Sequence, residues 1–591
     1  MLGDETIIDT ADRTPISEQT TRGLPVDAAP ATGLAAKHGV IAAAALLAAC
    51  DSGGGTGPGT VTVAGPNPTP TPTPTPSPTP TVAALNARSA SRFLAQATMG
   101  ATRTSIDAVL NTGIAGWIEA QFAIPRQTGQ TGHWDWMVAN GYAEANKVNV
   151  QSGYDASVWR QVIAGPDALR QRVTVALLDY LVVGMNALTI DWRALSMAAY
   201  TDILADNAFG NYRDLLGAIA RNATMGVFLT FVNSKKANPS TGSLPDENFA
   251  RELMQLFTLG VSQLEQDGTV RMSNGQVLET YTLDDVSQLA RVFTGLQLAT
   301  NDRTTADRMR QPLILNDANN ETGSATFLGG TVSGGGWAAV DAALDIIFRH
   351  PNIAPFVSKQ LIQRMVTSNP SPAYVGRVAA AFANNGSGVR GDMKAIIRAV
   401  LLDPEARDEA AALASPTAGR LREPVLRLTN WARAFGVTSP SDAWAIGDTT
   451  STTTRLGQGI GRASSVFGFV RPGFSPPGTP LVQAGLTAPE FLMASEQTNI
   501  AYINYMQSLV GGGTGDTKAD YAPMMALASD SAKLVDEVNL ILAAGQLRAS
   551  TVATIRTAVD SIPLTANNAT LNRTGVAILL TLASPDYLVL K

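Results

Sequence analysis

The segment Asp246-Glu-Asn-Phe-Ala-Arg-Glu-Leu-Met-Gln-Leu-Phe-Thr-Leu-Gly-Val261 sets two kinds of side chain on neighbouring stripes. On a helix, Asn248, Arg251, Glu252 and Gln255 fall at i, i+3, i+4 and i+7, which is one face. Phe249, Leu253, Leu256 and Phe257 line another. A charged stripe beside an apolar one is the ordinary pattern of a surface helix, so the plain reading is a solvated ion-pair face. The chemical reading is a recessed Glu252 carboxyl, with Arg251 placing an anionic or hydroxylated group and the Asn248 and Gln255 amides binding it. A second acidic cluster, Asp284-Asp285, follows Thr282. Thr282-x-x-Asp285 has the form of a capping box, which already gives Asp285 a structural task, and both acids gain from the helix dipole. If the two helices pack together, Glu252 and Asp285 become a carboxyl pair of the kind glycosidases hold at a defined separation.

The run Ser465-Val-Phe-Gly-Phe-Val-Arg-Pro-Gly-Phe-Ser-Pro-Pro-Gly478 is the second candidate surface. Phe467, Phe469 and Phe474 alternate with Gly and Pro around Arg471, so a stiff backbone would hold rings out for stacking on sugar faces or on a protein partner. The bland reading is a long connection pinned by core aromatics, since three phenyl rings left in water would be unusual. Beyond the first 50 residues the chain has two histidines, His133 and His350. His350 precedes Pro351 at a helix end and suits the dipole there; His133, in His133-Trp-Asp-Trp136, suits aromatic packing. No His, Cys and carboxylate spacing of a zinc site occurs. Asp317-Ala-Asn-Asn-Glu-Thr-Gly323 lacks the twelfth-position Glu of an EF-hand, Leu328 standing there. Gly457-Gln-Gly-Ile-Gly461 follows no strand pattern, and no Gly-Lys dipeptide exists to build a phosphate loop. The reading therefore includes no metal and no cofactor.

The elements that position these residues are mainly helical. Apolar periodicity predicts helices near 167–185, 190–206, 210–232, 245–259, 284–298, 338–349, 353–366, 372–384, 391–402, 420–435, 488–510, 530–546, 549–560 and 572–583. Pro245 with Asp246 and Glu247 opens the 245–259 helix and Gly260 closes it. His350-Pro351 stops one helix, with Asn352 placed to cap the next. Asp403-Pro404 ends another. Alternation is rare. Thr269-Val-Arg-Met and Gln276-Val-Leu-Glu-Thr-Tyr, joined through Asn274-Gly275, predict a small β-hairpin insertion near 265–282. Leu313-Ile-Leu and Ala325-Thr-Phe-Leu predict short strands. The expected fold is a mainly α, multi-helical globular domain over residues 83–591, in one or two lobes.

What precedes that body is not globular. Gly39-Val-Ile-Ala-Ala-Ala-Ala-Leu-Leu-Ala-Ala-Cys50 is an apolar run too short to span a bilayer, closed by the chain's one cysteine. It resembles a lipoprotein signal, which makes residues 1–50 a signal peptide and Cys50 the lipidation site. The six acids before the apolar run place the true start downstream of Met1. Residues 51–82, Gly-rich and then a Thr-Pro repeat, read as a flexible tether followed by a semi-rigid spacer. The expected location is exported and membrane-anchored, in the periplasm or on the cell surface, held by lipid on Cys50. The chain of 591 residues carries a net charge of −6. The first 50 residues, with six acids and three Lys or Arg, account for −3 of it and leave −3, so no basic field exists to hold nucleic acid.

Many ordered motifs resemble one bacterial family, the domain of unknown function 1800. They include Arg92-Phe-Leu-Ala-Gln-Ala-Thr, Leu169-Arg-Gln-Arg-Val, Phe209-Gly-Asn-Tyr-Arg-Asp-Leu-Leu, the Asn248-x-Ala-Arg-Glu-Leu…Phe257-Thr-Leu-Gly-Val segment, Leu421-Arg-Glu-Pro-Val and Ala583-Ser-Pro-Asp-Tyr-Leu. The resemblance implies an exported protein and a second exported protein of sulfatase-like fold as its partner; it implies no reaction. The function expected is a lipid-anchored envelope protein that binds or assembles with another exported protein or an extracellular polymer. The alternative is a hydrolase-like enzyme using Glu252 and Asp285, with Arg251 positioning the substrate.

Overall fold

Helix ends in this protein are set by short polar side chains. The computed structural model describes residues 84–126 and 132–591; the expected signal peptide, Cys50 and the whole 51–82 tether lie outside them. Asn86 with Ser89 and Thr102 with Ser105 form reciprocal capping boxes that open helices Ala87–Ala97 and Arg103–Ala123. Thr282 with Asp285 does the same for Leu283–Val292, as its spacing predicts. Asp403 closes Met393–Leu402 and caps Pro404–Arg407, accepting from the Glu405 N–H at 2.9 Å. The described residues hold 24 α-helices. Their strands form four antiparallel pairs of two or three residues each. The fold is therefore mainly α with small β elements.

The hairpin sits where its turn signal places it. Met272–Ser273 pairs with Gln276–Val277, and Asn274 and Gly275 take φ values of 51° and 77°, the double left-handed geometry of the tight hairpin turn. Ile314–Leu315 and Ala325–Phe327 are strands as well, paired with Leu296–Gln297 and Gly330–Val332. Val589–Leu590 pairs with Arg420–Leu421, which stitches the end of the chain into the body.

The core is made by helix on helix. Ala168–Leu178 is buried along all but one residue and packs on helices Ala87–Ala97, Arg193–Asn207 and Ile353–Met365. It ends at Leu178, earlier than the periodicity over 167–185 predicts. Beyond Asp179 the chain leaves the helix to run beside residues 461–463, where Met185 N–H donates to Gly461 O at 2.9 Å. Gly184 lies so close that a Cβ there would sit 1.8 Å from Ala463 O. Asn352 also departs from expectation: it precedes Ile353–Met365 without a side-chain cap bond. Its amide instead donates to Leu259 O and Ser262 O and accepts from Leu264 N–H, which fixes the exit of the 245–260 segment. The described residues belong to one compact unit. No helix among the described residues is long and apolar enough to cross a membrane.

Candidate functional site

The segment expected as one regular helix over 245–259 changes register midway. Asn248–Glu252 is α-helical, and Leu253–Thr258 is a π-helix. Thr258 Oγ1 donates five residues back to Leu253 O, and Leu259 N–H reaches Met254 O. A wider turn strands carbonyls that an α-helix would use, and side chains take them here: the Tyr180 and Tyr212 hydroxyls both donate to Phe257 O. Gly260, at φ 75°, ends the segment; a Cβ there would meet Phe356 at 2.7 Å. Single π turns in helices are frequent at functional sites. Here the turn breaks the predicted stripe. Gln255 and Leu256 enter a cleft, whereas Asn248, Arg251 and Glu252 are not among its lining residues.

Glu252 and Asp285 lie on helices that pack together through Phe249 and Phe293, whose rings meet edge-on at 4.8 Å. Their environments differ. Glu252 is 7% exposed and its Oε2 has no hydrogen-bond partner. Burial pushes its carboxyl above the ordinary range, with Arg251 opposing. It in turn adds to the burial that pushes the nearby Tyr281 hydroxyl up to about 12. Asp285 is committed to structure: Oδ2 accepts from Thr282 N–H at 2.7 Å and Oδ1 from Leu328 N–H at 2.8 Å. Burial raises its pKa, but these N–H groups outweigh it and hold the carboxyl below its usual range. Arg251 pairs with Glu247 at 2.8 Å, and Glu247 also accepts from the Ser287 hydroxyl. Asn248 donates weakly to the Thr230 hydroxyl.

The cleft joins the π-helix to the aromatic loop. It encloses about 260 Å³ between Gln255, Leu256, Phe356, Gln360, Phe467 and Arg471, with Asp179 and Arg364 also lining it. Phe467 is 39% exposed, and the Arg471 guanidinium stacks over its ring at 5.1 Å. Among the described residues neither the Arg471 guanidinium nor the Gln255 side-chain amide has a hydrogen-bond or ion-pair partner. Gln360 accepts from Arg364 through Oε1, leaving its NH₂ free. The three loop phenylalanines do not share one surface. Phe469 turns toward a small separate cavity lined by Val175, Leu178 and Glu423, and Phe474 is half-buried, its backbone held by Arg471 O and Ala488 N–H.

Asp179 lines both cavities, at the edge of a buried charge cluster. The carbonyl of Arg364, in the last turn of its helix, accepts from Arg172 and Arg420, cations suited to a helix C-terminus. Arg420 also grips Glu423 and Glu490; Gln458 donates to Glu423 at 2.7 Å and Ser368 to Glu490 at 3.0 Å. Burial raises the Glu423 pKa, but Arg420 and Arg172 outweigh it and hold the carboxyl below the ordinary range. Among the described residues Asp179 forms one ion pair: Arg364 Nε lies 3.2 Å from Oδ2, misaligned for a hydrogen bond. Burial pushes Asp179 up to about 7, Arg364 pulling against it and Glu423 adding to it.

The sequence singled out Gln255, Phe467 and Arg471 among this cleft's residues; Asp179, Arg364, Phe356 and Gln360 were missed as site residues. The one available signal was a carboxylate closing an otherwise apolar helical run. His133 is buried against the Ser157 hydroxyl at 3.1 Å and burial pushes it down to about 4, while burial and Arg390 lower His350, whose Nδ1 accepts from Asn352 N–H. Both are neutral packing residues near pH 7. Among the described residues no three of His, Cys, Asp and Glu gather as a metal-holding group.

A family model described as a protein of unknown function (DUF1800) matches residues 92–589, most of the chain, and the chain belongs to that family. No curated protein and no solved structure matches it.

Proposed function

We propose that this family member is an exported, lipid-anchored binding protein that holds a segment of an extracellular polymer in the cleft between the π-helix and the 465–478 loop. The observation that carries this reading is the meeting of Gln255 with Phe467 and Arg471 in one recess: an unpaired amide, an exposed ring and an unpaired guanidinium. A concave, largely apolar site with a few convergent polar groups is the general form of a ligand pocket. A ring beside free hydrogen-bonding groups suits the apolar face and hydroxyls of a sugar unit. The lipid on Cys50 and the tether over 51–82 would hold the body within reach of the envelope. The exported sulfatase-like partner that the family resemblance implies would act on, or dock beside, the polymer so held.

One observation favours the hydrolase-like reading: Glu252 is buried, unpartnered and raised in pKa, the condition of many general acids. Against it stand the commitment of Asp285 to a cap and the absence of both acids from the cleft lining. Two variants of the detergent-solubilised full chain separate the readings. Phe467→Ala should abolish retention on envelope polysaccharide while circular dichroism stays native, and Glu252→Gln should leave retention intact. Retention unaffected by Phe467→Ala would sink the cleft reading. A hydrolytic activity on such polymers that Glu252→Gln removes would install the other. The anchor is tested by fractionation, in which Cys50→Ala should move the protein from membranes to the soluble fraction.

A further inference from the structure

The charged groups lining the cleft are three: Asp179, Arg364 and Arg471. Asp179 and Arg364 face each other at 3.2 Å and offset each other. Arg364 is in addition held by its own helix, through Gln360, and donates to Asp179 O at 3.2 Å, so its guanidinium is occupied. What remains is Arg471. It is exposed at the rim with no carboxylate partner among the described residues. Its guanidinium carbon lies 5.1 Å from the centre of the Phe467 ring, a cation–π contact that engages no oxygen acceptor. None of the 29 ion pairs among the described residues includes Arg471. A planar guanidinium fork without a protein acceptor matches a carboxylate or another oxyanion in two-point geometry. Within the same recess the free amides of Gln255 and Gln360 can bind hydroxyls, and Phe356 and Phe467 offer apolar faces.

We propose that the polymer held in the cleft is an anionic glycan, with one oxyanion of a sugar unit seated on Arg471 and the ring of that unit between Phe467 and the Gln255 and Gln360 amides. This rests on the binding reading above and adds the ligand's charge. The oxyanion could belong to a uronate carboxylate or to a sulfate ester, since both present the same two-oxygen edge to a guanidinium. A glycan is favoured over an acidic peptide because the recess pairs the cation with rings and amides, and carries no further cation for a run of acidic side chains.

The test is calorimetric titration of the solubilised full chain with four probes: a tetragalacturonate, a sulfated galactan oligosaccharide, a neutral galactan oligosaccharide and a tetraglutamate peptide. At least one anionic sugar should bind roughly tenfold or more tightly than the neutral one, as expected when a hydrogen bond to a charged group is gained. Which of the two binds identifies the source of the oxyanion. Arg471→Gln should erase that preference while leaving the weak affinity for the neutral sugar in place. Added salt should weaken the wild-type preference, because the rim is exposed to solvent. Equal affinity for charged and neutral sugars, lost with Phe467→Ala, would overturn the anion inference and leave the cleft reading standing. Binding of the peptide as tight as that of either anionic sugar would also overturn it. Failure of every sugar to bind would overturn both.

Discussion

Glu423 and Asp179 belong to one buried charge cluster and end in opposite states. Glu423 has Arg420 on one oxygen and Gln458 on the other, with Arg172 nearby, and is held as a carboxylate. Asp179 has a single misaligned guanidinium, no bond to Oδ2, and an opening on the cleft, and burial pushes it up to about 7. Glu252 is a third case, since burial raises it as well but it is not among the cleft's lining residues. Burial alone thus perturbs an acid without making a site. What separates Asp179 from the other two is a perturbed carboxyl in contact with space a ligand can enter, and this is why the cleft, more than the Glu252 helix, is taken as the functional region.

The paired side of the cluster gives the largest expected effect. Arg420→Met conserves much of the side-chain volume but leaves Glu423 and Glu490 buried without their cation. Loss of one partner from a buried ion pair costs about 3–5 kcal/mol, and urea unfolding should show a loss of that order. A loss below about 1 kcal/mol, the ordinary value for a surface pair, would mean that water reaches the cluster, and the contrast with Asp179 would dissolve.

Glu252 comes next. Its folded pKa is raised, so the stability it contributes is complete below the ordinary carboxylate range and lost as pH climbs through the folded value. Wherever it ionises, the buried carboxylate has no hydrogen-bond partner on Oε2 and is a liability. Glu252→Gln should therefore be neutral or stabilising at pH 7, within about 1 kcal/mol, and should flatten the acid-side slope of the melting temperature with pH. A variant markedly less stable than wild type at pH 7 would show that the carboxylate has a partner after all, and would return this helix to candidacy.

Much of the fold could be read from the sequence and little of this contrast could, because the contrast is made by residues that meet only on packing. Helices with clear periods and marked ends, such as Pro372–Ala383 behind Ser371 or Ala549–Asp560, lie within a residue or two of expectation. The hairpin turn at Asn274-Gly275 and the Thr282 capping box were legible because their chemistry is encoded in four adjacent residues. Gln255, Phe467 and Arg471 were legible as types, but not as neighbours, since more than 200 positions separate Gln255 from Phe467. The π turn was not legible. It depends on Tyr180, from the turn after Ala168–Leu178, and Tyr212, from the helix Tyr212–Ala220, arriving from distant parts of the chain to take Phe257 O, and no local pattern encodes that. The expected stripe through Asn248, Arg251, Glu252 and Gln255 assumed 3.6 residues per turn, and the wider turn is what sends Gln255 elsewhere. Asp179 was visible as a lone acid after an apolar run, yet its role depends on Arg364 and the cleft, which only the packing of Ala168–Leu178 against Ile353–Met365 provides.

The smallest expected effect tests Asp179 where it meets the ligand. Its charged neighbours are Arg364 in the Ile353–Met365 helix, Arg172 in its own Ala168–Leu178 helix, Arg420 in the short strand, Glu423 just before the Pro424–Ala434 helix, and Glu490. A carboxyl raised from its ordinary value to about 7 contributes stability that is complete below about pH 4 and disappears as pH rises through about 7. Protonated, it also leaves the cleft one unit more positive. Affinity for an anionic sugar should therefore fall roughly 2- to 5-fold from pH 6 to pH 8, the size of one unit charge acting over several ångströms through a partly wet cleft. Asp179→Asn should hold the tighter, low-pH affinity across that range, while affinity for a neutral sugar should follow pH in neither protein. Glu252→Gln should leave the wild-type pH profile unchanged, because that acid does not line the cleft. A profile that shifts with Glu252→Gln and not with Asp179→Asn would reverse the comparison and place the ligand beside Glu252. A flat wild-type profile would mean that Arg364 holds Asp179 ionised throughout, so that the acid serves only to orient that arginine at the back of the site.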